Sequence, residues 1–230
     1  MPDFLSGSSF FAIALTLLIW RFAGVLQKRT GAVLLHPILI SAAAVILILL
    51  VSGIPNSAYQ QGMQPLSFLL TPATVCLAVP LYEQVKVLKK NLAAVFLGVT
   101  CGTLASLLCV GSLCLLFRLD REMTVSLLPK SVTTAIGVPV SEALGGIGAI
   151  TVTAIIATGI LGNIFGQTAC RVFHIHDPIA QGAAIGTASH VIGTTKANEI
   201  GDVQGAVSSL SLVIAGVLTA FLIPVMVQLF

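Results

Sequence analysis

The sequence predicts an all-α, polytopic membrane protein, and three observations predict it. Of the 230 residues, 57% are hydrophobic and 8% charged, against about 25% charged in a soluble domain. The apolar residues gather into runs near the ~20 that a helix needs to cross a bilayer. The period-2 alternation of an outer-membrane strand is absent, which argues against a barrel.

Six spans follow in order, at about 8–26, 32–54, 66–82, 91–117, 145–169 and 203–229. The first has no positive charge before it and no small-residue cleavage site after it, so it reads as a retained span and not a cleaved signal. The second carries His36-Pro37, read as a kink with a satisfied imidazole. The third closes on Glu83 beside Lys86, an interfacial charge. The last three mix aliphatic residues with Gly, Ala and Ser. The chain's 21 glycines let helix backbones approach closely in lipid. Cys76, Cys101, Cys109, Cys114 and Cys170 are odd in number and lack ligand spacing, so they read as small core residues.

Two further segments are apolar yet interrupted. Residues 123–141 hold Pro129, Lys130, Ser131, Thr133, Thr134, Gly137 and Pro139. Residues 179–197 hold Gly182, Gly186, Thr187, Ser189, His190, Gly193, Thr194 and Lys196. An ionisable group at membrane depth costs ~3 kcal/mol or more. Broken backbone there survives only when buried in protein or lining a wet cavity. Each segment is either a broken crossing helix or a re-entrant hairpin, which gives six to eight spans. No linker divides the chain, so residues 1–230 read as one domain.

Positive loops stay cytoplasmic. Residues 21–31 carry Arg21, Lys28 and Arg29, and residues 83–91 carry Lys86, Lys89 and Lys90. Both connections are therefore expected inside, with the N-terminus and the C-terminus outside. If 123–141 dips in from outside, 179–197 enters from inside and the two meet near the middle. Thr74-Val-Cys-Leu-Ala-Val-Pro80-Leu-Tyr-Glu83 echoes Thr133-Thr-Ala-Ile-Gly-Val-Pro139-Val-Ser-Glu142. Repeats with broken helices at corresponding places build secondary transporters, so an inverted repeat and an elevator-like transporter are the expectation.

Lys130 leads the candidates for chemistry. A half-helix starting near Ser131 would aim free N–H groups at one point, and Lys130 would add full charge there, a suitable seat for a carboxylate. Thr133, Thr134, Thr187, Ser189 and Thr194 supply hydroxyls, although hydroxyls bonded back to the preceding turn are the plainer reading for some. His190 titrates near neutral pH and is a natural proton carrier. Glu142 and Glu199 close the two segments and are the other proton-coupling candidates, or else wetted helix ends paired with Lys130 or Lys196. His174-x-His176-Asp177 lacks a third ligand and reads as a loop. No metal, other cofactor or nucleic-acid partner is expected, and no nucleophile–base motif points to an enzyme.

The runs Pro80-Leu-Tyr-Glu-Gln84, Leu128-Pro-Lys-Ser-Val-Thr-Thr134, Gly145-Gly-Ile-Gly-Ala-Ile150, Gly159-Ile-Leu-Gly162 and Gly186-Thr-Ala-Ser-His190, with Gly193-Thr, resemble the LrgB/CidB family over nearly the whole chain. The resemblance implies a bacterial plasma (inner) membrane protein. Family members include holin-like and antiholin-like proteins tied to murein hydrolase activity and autolysis. Others are the membrane domain of the plastidal glycolate/glycerate translocator and bacterial members linked to pyruvate uptake. A small membrane partner of the LrgA/CidA type is implied as well. Lys130, Ser131, Thr133, Thr134, Ser189 and His190 match the family's motifs.

Two functions are thus expected. The first is a proton-coupled secondary transporter of small monocarboxylates or 2-hydroxycarboxylates such as glycolate, glycerate, pyruvate or lactate, embedded in the lipid bilayer as a homo-oligomer, a dimer. The second is a holin- or antiholin-like protein that modulates murein hydrolase activity. A pore-former needs no buried cation facing hydroxyls, so the interrupted segments favour transport.

Overall fold

The computed structural model describes residues 8–30, 37–69, 72, 75–76, 78–83 and 85–229. The secondary structure among them is helical throughout. Among the described residues, four helices are long and apolar enough to cross a membrane: Ser9–Thr30, Leu88–Leu116, Gly148–Val172 and Asp202–Met226. The chain falls into two compact units, Met1–Cys76 and Leu77–Phe230.

The first unit holds α1 (Ser9–Thr30), α2 (Pro37–Ser52), α3 (Asn56–Gly62) and α4 (Gln64–Phe68). α1 packs against α2 and α3. The Thr16 hydroxyl bonds the Tyr59 hydroxyl at 2.8 Å. Gly62 lets α3 close on α1, since a Cβ there would stand 2.8 Å from that of Ala12. His36 lies outside the described residues, as do parts of the expected 66–82 span and of the first copy of the echo. The described part of that span is helical, with α4 at its start and, in the second unit, a short helix, α5 (Ala78–Glu83), at its end.

The second unit continues with α6 (Val85–Leu116), α7 (Arg121–Leu127), α8 (Thr134–Ala143), α9 (Gly148–Val172), α10 (Pro178–Ile200) and α11 (Asp202–Met226). α11 is the most buried of the four long apolar helices. Leu88, Val95 and Val99 of α6 meet Val207 and Ala215 of α11 in one buried cluster. Leu107, Val110 and Cys114 meet Val125, Leu128 and Ile223 in another.

Both interrupted segments fold back on themselves. In the first, Ser126 of α7 accepts the Ile147 N–H at 2.7 Å, and a Cβ on Gly146 would strike the Ser141 hydroxyl and stand 3.0 Å from that of Ser126. Residues 126 and 141 would lie over 20 Å apart on a straight helix at ~1.5 Å per residue. The chain turns between them, at a 3₁₀ segment, Leu128–Ser131, followed by extended Val132 and Thr133.

In the second, the run Pro178–Ile200 breaks at His190, where φ is +45° and ψ −141°. A Cβ on Gly193 would stand 3.2 Å from Ile185 Cγ2, eight residues away and ~12 Å along a straight helix. Ile185 and Ala197 share a buried cluster with Ile175 and Ile200 at the open end. The outgoing arm runs alongside α11 in the same direction, with Gly182 on Gln204 and Gly186 on Ser208. The returning arm runs against it, with Thr194 bonded to Ser208 at 2.8 Å and Asn198 on Gly205. Small residues permit these close backbone approaches.

The hairpins open at opposite ends of α9. The mouth of the first adjoins Ile147, beside the start of α9, and the second begins just past its end at Val172. Both tips reach its middle. Ile155 touches Gly137 of the first hairpin, and its carbonyl accepts the His190 Nε2–H at 2.9 Å. Gly159 lies under the His190 ring and Gly162 under Ser189.

Two expectations need correction. Cys76, Cys101 and Cys109 are exposed, and only Cys114 and Cys170 are buried; a small apolar side chain on a lipid-facing helix has no need of a core. The second half of the first hairpin starts at Thr134, with Thr133 as its N-cap, and not near Ser131. Pro129 ends the descending arm, in a buried 3₁₀ turn, because its missing N–H and ring halt a helix as readily as they start one.

Candidate functional site

A cleft of about 620 Å³ runs between α6 and α10 to the tip of the first hairpin. It extends from Asn91 and Asp177, near the starts of the two helices, to Ser106, Lys130, Ser131 and Thr187. Glycines keep it open: Gly98 and Gly102 line the α6 side, and a Cβ on Gly102 would stand 3.2 Å from Thr187 Cγ2. Gly102 is at the middle of Leu88–Leu116, so the inner end of the cleft is at the depth of the helix midpoint.

Lys130 is half-buried there. Its Nζ donates to Ser131 Oγ at 3.1 Å, and that hydroxyl pairs with Ser106 Oγ at 3.2 Å. Among the described residues the one ion pair is Lys196 with Glu199, so the Lys130 charge has no acidic partner there. The 3₁₀ turn that carries it packs against α8, α9 and α10, which fixes the base of a long, otherwise mobile side chain. A cation with hydroxyls beside it, at the end of a cleft walled by Ala and Gly, can hold one small anion.

The structure brings together only part of the set read from sequence. Lys130, Ser131 and Thr187 line the cleft. Thr187 also bonds back to the Ala183 carbonyl at 2.7 Å. Thr133 and Thr134 begin α8 at the tip without lining the cleft. Ser189 and His190 turn toward α9, and Thr194 toward α11, where its hydroxyl contacts His190 O at 2.9 Å and Ser208 Oγ at 2.8 Å. His190 is 3% exposed and tops the second hairpin. Its left-handed backbone is costly for a side chain with a Cβ. The bond to Ile155 O is the contact that holds it, and requires the proton on Nε2 because a carbonyl only accepts.

The two acids stand elsewhere. Glu142 is exposed, and its carboxylate lies over Gly148, the first residue of α9, where a helix N-terminus favours negative charge. Glu199 is exposed and pairs with Lys196 at 2.9 Å. His174 and His176 sit in the α9–α10 connection with their rings edge to face, 6.2 Å apart.

Ser106 belongs to the site and was not singled out from sequence. Gly98, Gly102 and Ser106 recur at four-residue spacing along α6. That stripe of small and polar residues through an apolar span was the available signal.

No solved structure matches this chain. The holin-like protein CidB of Staphylococcus epidermidis is 37% identical over 218 residues, 95% of each chain. The protein of the same name from Staphylococcus aureus is 36% identical over the same share. With the match to its family running from residue 16 to residue 229, this multi-pass membrane protein belongs to the LrgB-like family.

Proposed function

We propose that this chain acts as a holin-like protein of the bacterial inner membrane that modulates murein hydrolase activity and autolysis. The observation that carries this reading is the likeness to proteins named holin-like over 95% of both chains. The test is a host strain lacking the gene, complemented with the full chain. Murein hydrolase zymograms and detergent-induced lysis rates are expected to change on deletion and to return on complementation. Unchanged zymograms and lysis in the deleted strain refute it.

The cleft favours a second reading, a secondary transporter of small monocarboxylates or 2-hydroxycarboxylates. Its support is a cation without an acidic partner among the described residues, at the meeting point of two fold-back hairpins. In this reading Lys130 holds the carboxylate, and Ser131 and Thr187 line its seat. Thr133 and Thr134 shape the tip, while Ser189, His190 and Thr194 lock the second hairpin. Among the proton-coupling candidates His190 is two residues from Ala188 in the cleft wall, with its ring on α9; Glu142 and Glu199 are engaged at helix ends. Hairpins of opposite entry are what an inverted repeat would give, and rigid movement of the hairpin core would be an elevator-like step. With residues 83–91 inside, the cleft opens to the cytoplasm and both termini lie outside. A homodimer and a small LrgA/CidA-type partner complete the reading. Uptake of labelled glycolate, lactate or pyruvate by proteoliposomes tests it, and no uptake of any of the three, in either direction of the pH gradient, removes it.

A further inference from the structure

A second, smaller cavity adjoins the inner end of the cleft. Its volume is about 10 Å³, and Thr103, Ser106, Ser131, Thr187 and Thr219 contribute its polar lining. Ser106, Ser131 and Thr187 line both spaces, so the smaller one continues the larger beside the hydroxyl that Lys130 Nζ bonds. That volume fits about one water-sized group. Thr103 is 4% exposed and its Oγ1 has no hydrogen-bond partner. A buried hydroxyl is rarely left so, and its partner is commonly a water or a ligand atom. The Thr187 hydroxyl already donates to Ala183 O, and Ser106 and Ser131 share one hydrogen bond. The lining hydroxyl that is fully buried without a partner is that of Thr103.

We infer that this cavity is the subsite for the second polar group of a small carboxylate held by Lys130, its 2-hydroxyl or 2-oxo oxygen, and that Thr103 is the specificity-determining residue that binds it. The inference rests on the transport reading above. The lining is neutral, so the group it takes is neutral, and the volume excludes anything much larger than one oxygen. Water fills the place when the cleft is empty.

Calorimetric titration of the full chain in nanodiscs tests this, with glycolate against acetate and lactate against propionate. The wild type is expected to prefer the hydroxylated acid by about tenfold, the factor that ~1.4 kcal/mol of hydrogen bonding gives. Thr103→Val keeps the shape and removes the hydroxyl; it is expected to lower the preference to about twofold while the affinity for acetate stays. Thr103→Ser is expected to restore the preference. Should the valine variant misfold, Thr103→Ala, which leaves more room, is expected to lose the preference in the same way. A wild-type ratio in a folded Thr103→Val or Thr103→Ala variant overturns the assignment of Thr103. Equal binding of hydroxylated and plain acids by the wild type overturns the subsite. A wild type that binds none of the four acids overturns the transport reading, and this inference with it.

Discussion

Replacing Gly159 by alanine is expected to unseat the tip of the second hairpin. The new Cβ would stand 2.6 Å from His190 Cε1 and 2.8 Å from Nε2. Ordinary carbon–carbon contact is ~3.5 Å, so ring and helix must part by nearly 1 Å. The 2.9 Å bond from His190 to Ile155 O cannot survive such a shift unchanged. Losing a buried hydrogen bond costs ~1–3 kcal/mol, and overpacking adds ~1–3 kcal/mol. For a chain of this size each kcal/mol moves Tm by ~2–4 °C, so a fall of about 4–24 °C is expected. The assay is thermal unfolding in detergent followed by circular dichroism. Gly24→Ala is the control, because a Cβ there meets nothing within 4 Å, and it is expected to melt within ~2 °C of wild type. Adding His190→Ala to Gly159→Ala removes the collision with the ring and leaves only that with Ile192 Cβ, at 2.9 Å. The double variant is expected to fall short of additivity by ~1 kcal/mol or more, the size seen for residues in contact. A Gly159→Ala protein that melts with the control, or an additive double variant, refutes the placement of His190 over α9.

Other expectations follow from the same geometry. Lys130→Ala is expected to abolish carboxylate binding in the folded protein and Lys130→Arg to weaken it, since a planar fork replaces a compact charge; unchanged calorimetric affinity in the alanine variant removes Lys130 from the site. Cysteines at Ser131 and Thr187, in a background free of native cysteine, are expected to join through a short crosslinker because both line the same one-water cavity; no product in functional protein contradicts the meeting of the hairpins. Lys196→Gln or Glu199→Gln is expected to lower stability by under ~1 kcal/mol, as for other exposed pairs, and a Tm fall beyond ~5 °C in either variant refutes a surface role.

The membrane class, both interruptions and most helix limits were legible in the sequence. The runs at 91–117, 145–169 and 203–229 became Val85–Leu116, Gly148–Val172 and Asp202–Met226. Between a broken crossing and a hairpin, composition could not choose, because the choice depends on which backbones Gly182, Gly186 and Gly193 touch. The hydroxyls of the second segment looked like one cluster because they are neighbours in sequence. Residues two apart on a helix point ~200° apart, so Thr187 and Ser189 face different helices. Thr103 and Ser106 were hidden by their setting in the most plainly apolar part of α6, where hydrophobicity masks a polar stripe.

The second hairpin has a consequence for how the chain is made. Pro178–Ile200 carries His190, Lys196, Glu199 and a row of hydroxyls, and it is not among the four helices apolar enough to cross a membrane. Insertion machinery that sorts segments by hydropathy has little reason to retain it in lipid. Its place is created by neighbours: α9 receives Ser189 and His190 over Gly162 and Gly159, and α11 receives Gly182 and Gly186. α11 is synthesised after it. The hairpin must therefore wait at the surface until the last span is laid, and enter as the final act of assembly. Weakening the α11 face would show first as a failure of biogenesis, with nascent chains lost to proteolysis before any defect in a mature protein could be measured.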